Sequence, residues 1–177
     1  LPDIVPPSLL SYNFSLLTAD LWMHFDEIVD CDLIDMRNFI WQYDAFLGVS
    51  TQYFMLSTSQ PDCSYFTGKY TTDIHVKLKN ADWIGIKAVT SLMKSESSTF
   101  VAAGAGAITD TFGNEFISIP DGYALQVTEF TADDVRPEII SYSITNAKIL
   151  VLYFDEPMMA SSIDTSKIQF QTSLPPY

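Results

Sequence analysis

The chain has 177 residues, 47% of them hydrophobic and 18% charged, with nine basic residues against twenty-two acidic for a net charge of −13. Nucleic-acid binding and anionic membrane surfaces both need clustered Lys and Arg, so this balance argues against those partners. No run approaches the ~20 apolar residues of a membrane helix, and "LPDIVPPSLL" at the start lacks the basic end and apolar run of a secretion signal.

In chain order, the first expected strand is 8–14, followed by "ADLWMHF" (19–25), where Leu21, Met23 and Phe25 alternate with Asp20, Trp22 and His24. A period of two marks a half-buried strand. Strands are expected next at 37–43 and 51–57. In "TDIHVKLK" (72–79), Ile74, Val76 and Leu78 alternate with Asp73, His75, Lys77 and Lys79. "NADWIGIKAVTSLMK" (80–94) breaks the pattern, with Trp83, Ile86, Val89 and Leu92 every third residue, and predicts a short helix. Strands at 98–103, 115–119 and 123–130 follow, bounded by Gly104, Gly106, Gly113 and the "PDG" at 120–122. "FTADDVRPEI" (130–139) reads as a hinge, and "AKILVLYF" (147–154) as a more apolar strand. About seven short strands with turn signals between them predict a β-sandwich.

A repeat underlies this order. "MHFDEI" at 23–28 returns as "LYFDEP" at 152–157, and the match extends well beyond it. Val5, Pro7, Ser11 and Tyr12 pair with Val135, Pro137, Ser141 and Tyr142. After a one-residue adjustment in the polar turn, Leu21, Phe25, Asp26, Glu27, Ile34, Asp35 and Gln42 pair with Leu150, Phe154, Asp155, Glu156, Ile163, Asp164 and Gln171. The unit is about 130 residues long, present once in full (1–134) and once as its opening (135–177). The Pro-rich ends read as linkers, so the chain is expected to be part of something longer.

An apolar strand ending in Phe-Asp-Glu, a "D…S-I-D" segment, and "ITDTFGNEF" some eighty residues on resemble the Ig-like domains of microbial surface proteins, including S-layer and adhesin arrays. Asp110, Gly113 and Asn114 match that family's closing D-x-x-G-N turn. Phe154, Asp155, Glu156 and Pro157 match its F-D-E-P opening, while Phe25, Asp26 and Glu27 lack the proline. Similar arrays occur in giant extracellular proteins of microbial eukaryotes, flagellar-hair (mastigoneme) proteins among them. The resemblance implies an all-β fold, an Ig-like β-sandwich repeat with one short helix followed by a partial second repeat. It also implies an extracellular or cell-surface place, but says almost nothing about a ligand.

Chemistry is sparse. Cys31 and Cys63 fit no zinc or redox spacing, which leaves a disulfide or two separate thiols; the disulfide is expected. The sequon Asn13-Phe14-Ser15 marks Asn13 for glycosylation in an oxidising secretory route, on an exposed strand end. His24 and His75 fall at outward positions, where solvated or edge-packed imidazoles are expected. There is no nucleophile elbow, and "GAGAITD" reads as a turn, so no enzyme and no cofactor are expected. "FDEIVDCDLID" crowds five acids, with Asp110, Asp133 and Asp134 at turns or the junction. Holding backbone N–H groups at strand ends is their expected work, with calcium at the junction as the alternative. Two functions follow. One is a structural repeat of an extracellular fibre or surface layer, whose partners are copies of itself or adjacent repeats. The other is a carbohydrate- or receptor-binding adhesin module using Trp22, Trp41, Tyr43 or Trp83 as a stacking platform. In either case residues 135–177 supply only the first strands of a sandwich and need completing from outside.

Overall fold

β1 (Leu9–Ser15) and β2 (Asp20–Asp30) form an antiparallel pair with Tyr12 opposite Met23 and Phe14 opposite Leu21. Leu21, Met23 and Phe25 of β2 are buried, as the alternation requires. This computed structural model describes residues 2–48, 52–63, 69–89, 91–156, 158 and 160–171; Pro157 of the F-D-E-P motif lies outside them. Two short 3-10 turns then lead to β3 (Phe39–Gln42) and β4 (Tyr53–Met55). β5 (Tyr70–Lys77), the helix α1 (Asn80–Ala88) and β6 (Phe100–Ala103) follow, then β7 (Leu125–Gln126) and β8 (Glu129–Thr131). One sheet runs β5-β2-β1-β8 with β8 parallel to β1, and a second runs β4-β3-β6-β7, all antiparallel. Among the described residues the regular structure is mostly strand, with one α-helix.

Residues of both sheets join one buried cluster. Phe14, Met23, Phe25, Ile74 and Val76 come from the first sheet, and Phe39, Trp41 and Val101 from the second. Phe116 lies between Phe25 and Phe39, its ring centroid 6.2 and 6.3 Å from theirs. α1 adds Ile86, with Leu92 just beyond it. A Cβ at Gly85 would stand 2.3 Å from the Phe54 ring, so a larger residue there forces that ring to move.

Three expected elements differ. Residues 115–119 form no ladder: Phe116 N donates to Ile108 O, Ile117 N to Pro7 O and Ile119 N to Ala103 O, three separate partners. Residues 123–130 are two strands in two sheets. The chain leaves the second sheet where Val127 N bonds Thr99 O, and joins the first where Thr128 N bonds Tyr12 O. The helix stops at Ala88, where the C-cap Val89 turns extended.

The chain separates into two compact units, Leu1–Val135 and Arg136–Tyr177. The second contains an antiparallel pair, β9 (Ile139–Ile144) and β10 (Leu150–Phe154), and two 3-10 turns. At the spacing of the sequence match, its features coincide with those of the first. Leu10 bulges out of the β1–β2 register and Ile140 out of β9–β10. Ala19 and Lys148 both take positive φ, 59° and 60°. The 3-10 turns Cys31–Leu33 and Met36–Asn38 answer to Ala160–Ser162 and Thr165–Lys167. The burial is opposite. Leu9, Tyr12, Phe14 and Trp41 are 8, 2, 2 and 2% exposed, whereas Ile139, Tyr142, Ile144 and Phe170 are 55, 64, 58 and 66% exposed.

Candidate functional site

The F-D-E motif is a backbone clamp. Phe25 enters the core, and Asp26 turns outward to the residue preceding β1. Ser8 N donates to Asp26 Oδ1 at 2.7 Å and Ser8 Oγ to Oδ2 at 2.6 Å, while Asp26 N returns a bond to Ser8 O at 3.1 Å. Asp155 repeats it: Glu138 N donates to Asp155 Oδ1 at 2.8 Å and Asp155 N to Glu138 O at 3.1 Å. Phe154 is only half-buried. Asp35 and Asp164 are likewise matched, each accepting the N–H two residues on at 3.0 Å to start a 3-10 turn. Glu156 is half-buried.

The D-x-x-G-N turn is built the same way. Asp110 Oδ1 accepts from Phe112 N and Asn114 N, both at 2.8 Å, and Oδ2 from Asn114 Nδ2 at 2.7 Å. Gly113 sits at φ 87°, a conformation that favours glycine. Burial would raise the Asp110 pKa, but these donors outweigh it and hold the carboxyl below its ordinary range. Carboxylates accepting backbone N–H groups are strong, short-range staples.

The crowded acids separate in space. Asp30 caps a 3-10 turn and accepts from Lys69 Nζ at 3.0 Å; Asp133 pairs with Lys87, and Asp134 is exposed. Among the described residues, Asp3, Glu27 and Asp110 converge, their oxygens within 4.8 Å of one another. Burial, then the charges of Asp3, Asp110 and Asp26, raise the Glu27 pKa. Calcium takes six to eight oxygens, and each of these three carboxylates brings one ligand atom to the group. The junction acids expected to join it, Asp133 and Asp134, do not.

Cys31 and Cys63 form a disulfide with Cα atoms 5.7 Å apart, which ties the end of β2 to the segment before β5. Asn13 is not at a strand end. It lies within β1 between β2 and β8, half-buried, and its Nδ2 donates to Glu129 Oε2 at 3.1 Å. His75 takes the edge-packed alternative: on the edge strand β5 it is buried against Trp22, ring centroids 4.1 Å apart, with Nε2 2.8 Å from Asp20 Oδ1. His24 is exposed, its Nδ1 2.8 Å from Asp73 Oδ1.

Of the four aromatic residues expected as a platform, Trp41 is excluded because it is in the core. Trp83 donates to Leu16 O at 2.8 Å and is capped by Lys87 Nζ 4.0 Å from its ring. Tyr43 is exposed outside the grooves described next. Trp22 remains. It lies on the outward face of β5-β2-β1-β8, where two shallow depressions of about 290 and about 280 Å³ are both lined by Trp22 and Asn13.

Sequence reasoning missed Asp82. It is fully buried and accepts five hydrogen bonds of 2.7–3.1 Å from Ser57 N and Oγ, Thr58 N and Oγ1, and Ser59 N. The run Ser57-Thr58-Ser59 was its only trace in the sequence. Burial would raise the Asp82 pKa, but the three backbone N–H groups win and hold it far below the usual carboxylate range.

No family model matches the chain, and no curated protein does. Two solved structures are similar over 78% of it. One is the S-layer protein rSbsC(31-844), with a TM-score of 0.42 and 14% identity, 15% of that chain being covered. The other is the N-terminal part of the bacterial S-layer protein SbsC, with a TM-score of 0.37 and 17% identity, 26% of that chain being covered. The chain therefore spans about a quarter or less of either.

Proposed function

We propose that the chain is a structural module of an extracellular or cell-surface assembly. Residues 1–134 make a complete Ig-like repeat, and residues 135–177 open a second one that polypeptide outside these residues completes, giving an extended head-to-tail array. The observation that carries this reading is the reversal of burial at matched positions. The second unit has the same bulge, left-handed turn residue, aspartate clamp and 3-10 turns as the first, yet Ile139, Tyr142, Ile144 and Phe170, the counterparts of core residues Leu9, Tyr12, Phe14 and Trp41, are exposed. Each such side chain forgoes roughly 1.5–3 kcal/mol of burial, so several together exceed what a marginally stable unit can lose. Open strand edges add to the pressure to pair. Two four-stranded sheets that share one buried cluster support a sandwich unit as well. A disulfide fits an oxidising exterior.

The module is non-catalytic in this reading, with its aspartates spent on turns and caps. A glycan on Asn13 is part of the proposal only for a eukaryotic secretory route, and intact-mass measurement of native material decides it. Electron microscopy of the parent assembly tests the whole. Rows of sandwich-sized beads in filaments or sheets are expected; discrete, unconnected particles at native concentration would overturn the array.

A further inference from the structure

We propose that the outward face of β5-β2-β1-β8 binds a neutral oligosaccharide of two or three pyranose units, stacked on Trp22. The inference goes beyond the array reading and does not depend on it. Around Trp22 this face carries the polar Ser11, Asn13, His24, Asp73 and Glu129, while Leu10 and Ile28 are exposed elsewhere on the same strands. Trp22 stands directly across from Asn13, and the flanking pairs are Ser11 with His24, His24 with Asp73 and Asn13 with Glu129. All six side chains are exposed or half-exposed. The two depressions, each large enough for part of a sugar chain, adjoin through Trp22 and Asn13, so together they make one groove with the ring at its middle.

A pyranose presents an apolar C–H face and a rim of hydroxyls. An indole face complements the first. Planar amide, imidazole and carboxylate groups at its edge complement the second, in the way of a site where a few placed polar groups fix orientation. Two of those groups are already steered. His24 is held 2.8 Å from Asp73, and the Asn13 amide donates to Glu129 at 3.1 Å. His75, packed on Trp22, restrains the ring itself. Preorganisation of this kind lowers the cost of binding. Asp73, Glu129 and the net charge of −13 select against uronates and other anionic sugars.

The test is titration of the full 177-residue chain, isotope-labelled and made without glycosylation, with maltotriose, cellotriose, mannotriose and chitotriose, and with glucuronic acid as the anionic control. At least one neutral trisaccharide is expected to shift the amides of Ser11, Asn13 and His24 and the Trp22 indole N–H saturably, with a Kd of about 0.1–10 mM. Trp22→Ala and Ser11→Arg should each weaken that binding at least about tenfold, and Tyr43→Ala should leave it unchanged. Should Trp22→Ala fail to fold, Ser11→Arg decides alone. No response at these residues to any of the four trisaccharides overturns the proposal. So does a response that survives Ser11→Arg, or one that glucuronic acid matches.

Discussion

Replacing Asp82 by Asn removes one charge and almost no volume from a position with no exposed surface. Oδ1 serves Ser57 N and Oγ, while Oδ2 serves Thr58 N and Oγ1 and Ser59 N. An amide keeps one oxygen and points an N–H₂ at the donors of the other. The hydroxyls can rotate to accept from it, but at least one backbone N–H cannot, and an orphaned buried donor costs about 1–3 kcal/mol. The bonds that survive lose their charge assistance, roughly another 0.5–1 kcal/mol each. The sum, about 3–5 kcal/mol, is a large share of the stability of a domain this size. It corresponds to a fall of roughly 10–20 °C in Tm, to be read by calorimetry or circular dichroism at pH 7. The pH dependence has a definite sign. The folded pKa of Asp82 is depressed, so its contribution is complete above the unfolded value of about 3.9 and is lost as pH falls below it towards the folded value. The gap between wild type and Asp82→Asn should therefore be constant from about pH 5 upward and narrow only in acid. A loss under about 1 kcal/mol at pH 7 would refute the reasoning.

Three other perturbations probe separate parts of the account. Replacing both Cys31 and Cys63 by Ala releases a constraint across 32 residues and should cost about 3–4 kcal/mol in urea unfolding; an unchanged midpoint would place the stabilisation elsewhere. Gly85→Ala should destabilise by about 1–3 kcal/mol despite a helix-propensity gain near 1 kcal/mol, because its Cβ meets the Phe54 ring. Adding Phe54→Leu should recover part of that loss in a double-mutant cycle, and strict additivity of the two changes would rule out the clash. Asp26→Ala should lower the main unfolding transition by about 1–2 kcal/mol. Asp155→Ala, the same change in the second unit, should leave that transition where it is; equal effects would mean that the two units unfold together.

The period-two stretches were legible because a half-buried strand writes its burial directly into residue type. Leu21, Met23 and Phe25, or Ile74 and Val76, need no tertiary knowledge. The match between residues 5–42 and 135–171 was legible for a related reason: residues shared by the two stretches, such as Asp26 with Asp155 and Asp35 with Asp164, make local backbone bonds in both units. What escaped depends on partners far away in sequence. Nothing in 123–130 signals that Val127 bonds to one sheet and Thr128 to the other. Glu115–Ile119 has an ordinary strand composition but meets three different neighbours. Trp41 could stand for a platform or a core residue until β6 and Phe39 enclosed it. Asp82 was hidden because a buried acid is unfavourable until the donors of residues 57–59, more than twenty positions away, surround it. On the outward face of the first sheet, Trp22 was visible as a candidate, but its setting among Asn13, His24, Asp73 and Glu129 needed the register of four strands.

Amide hydrogen exchange on the intact 177-residue chain addresses the central claim most directly, because it compares matched positions in one sample. If residues 135–177 are the unfinished opening of a second repeat, Tyr12, Phe14 and Met23 exchange only through global unfolding, while their counterparts Tyr142, Ile144 and Leu152 exchange by local opening with little protection. Equal protection in the two sets, lost together in one cooperative transition, would mean that the second unit is already complete and would contradict the account.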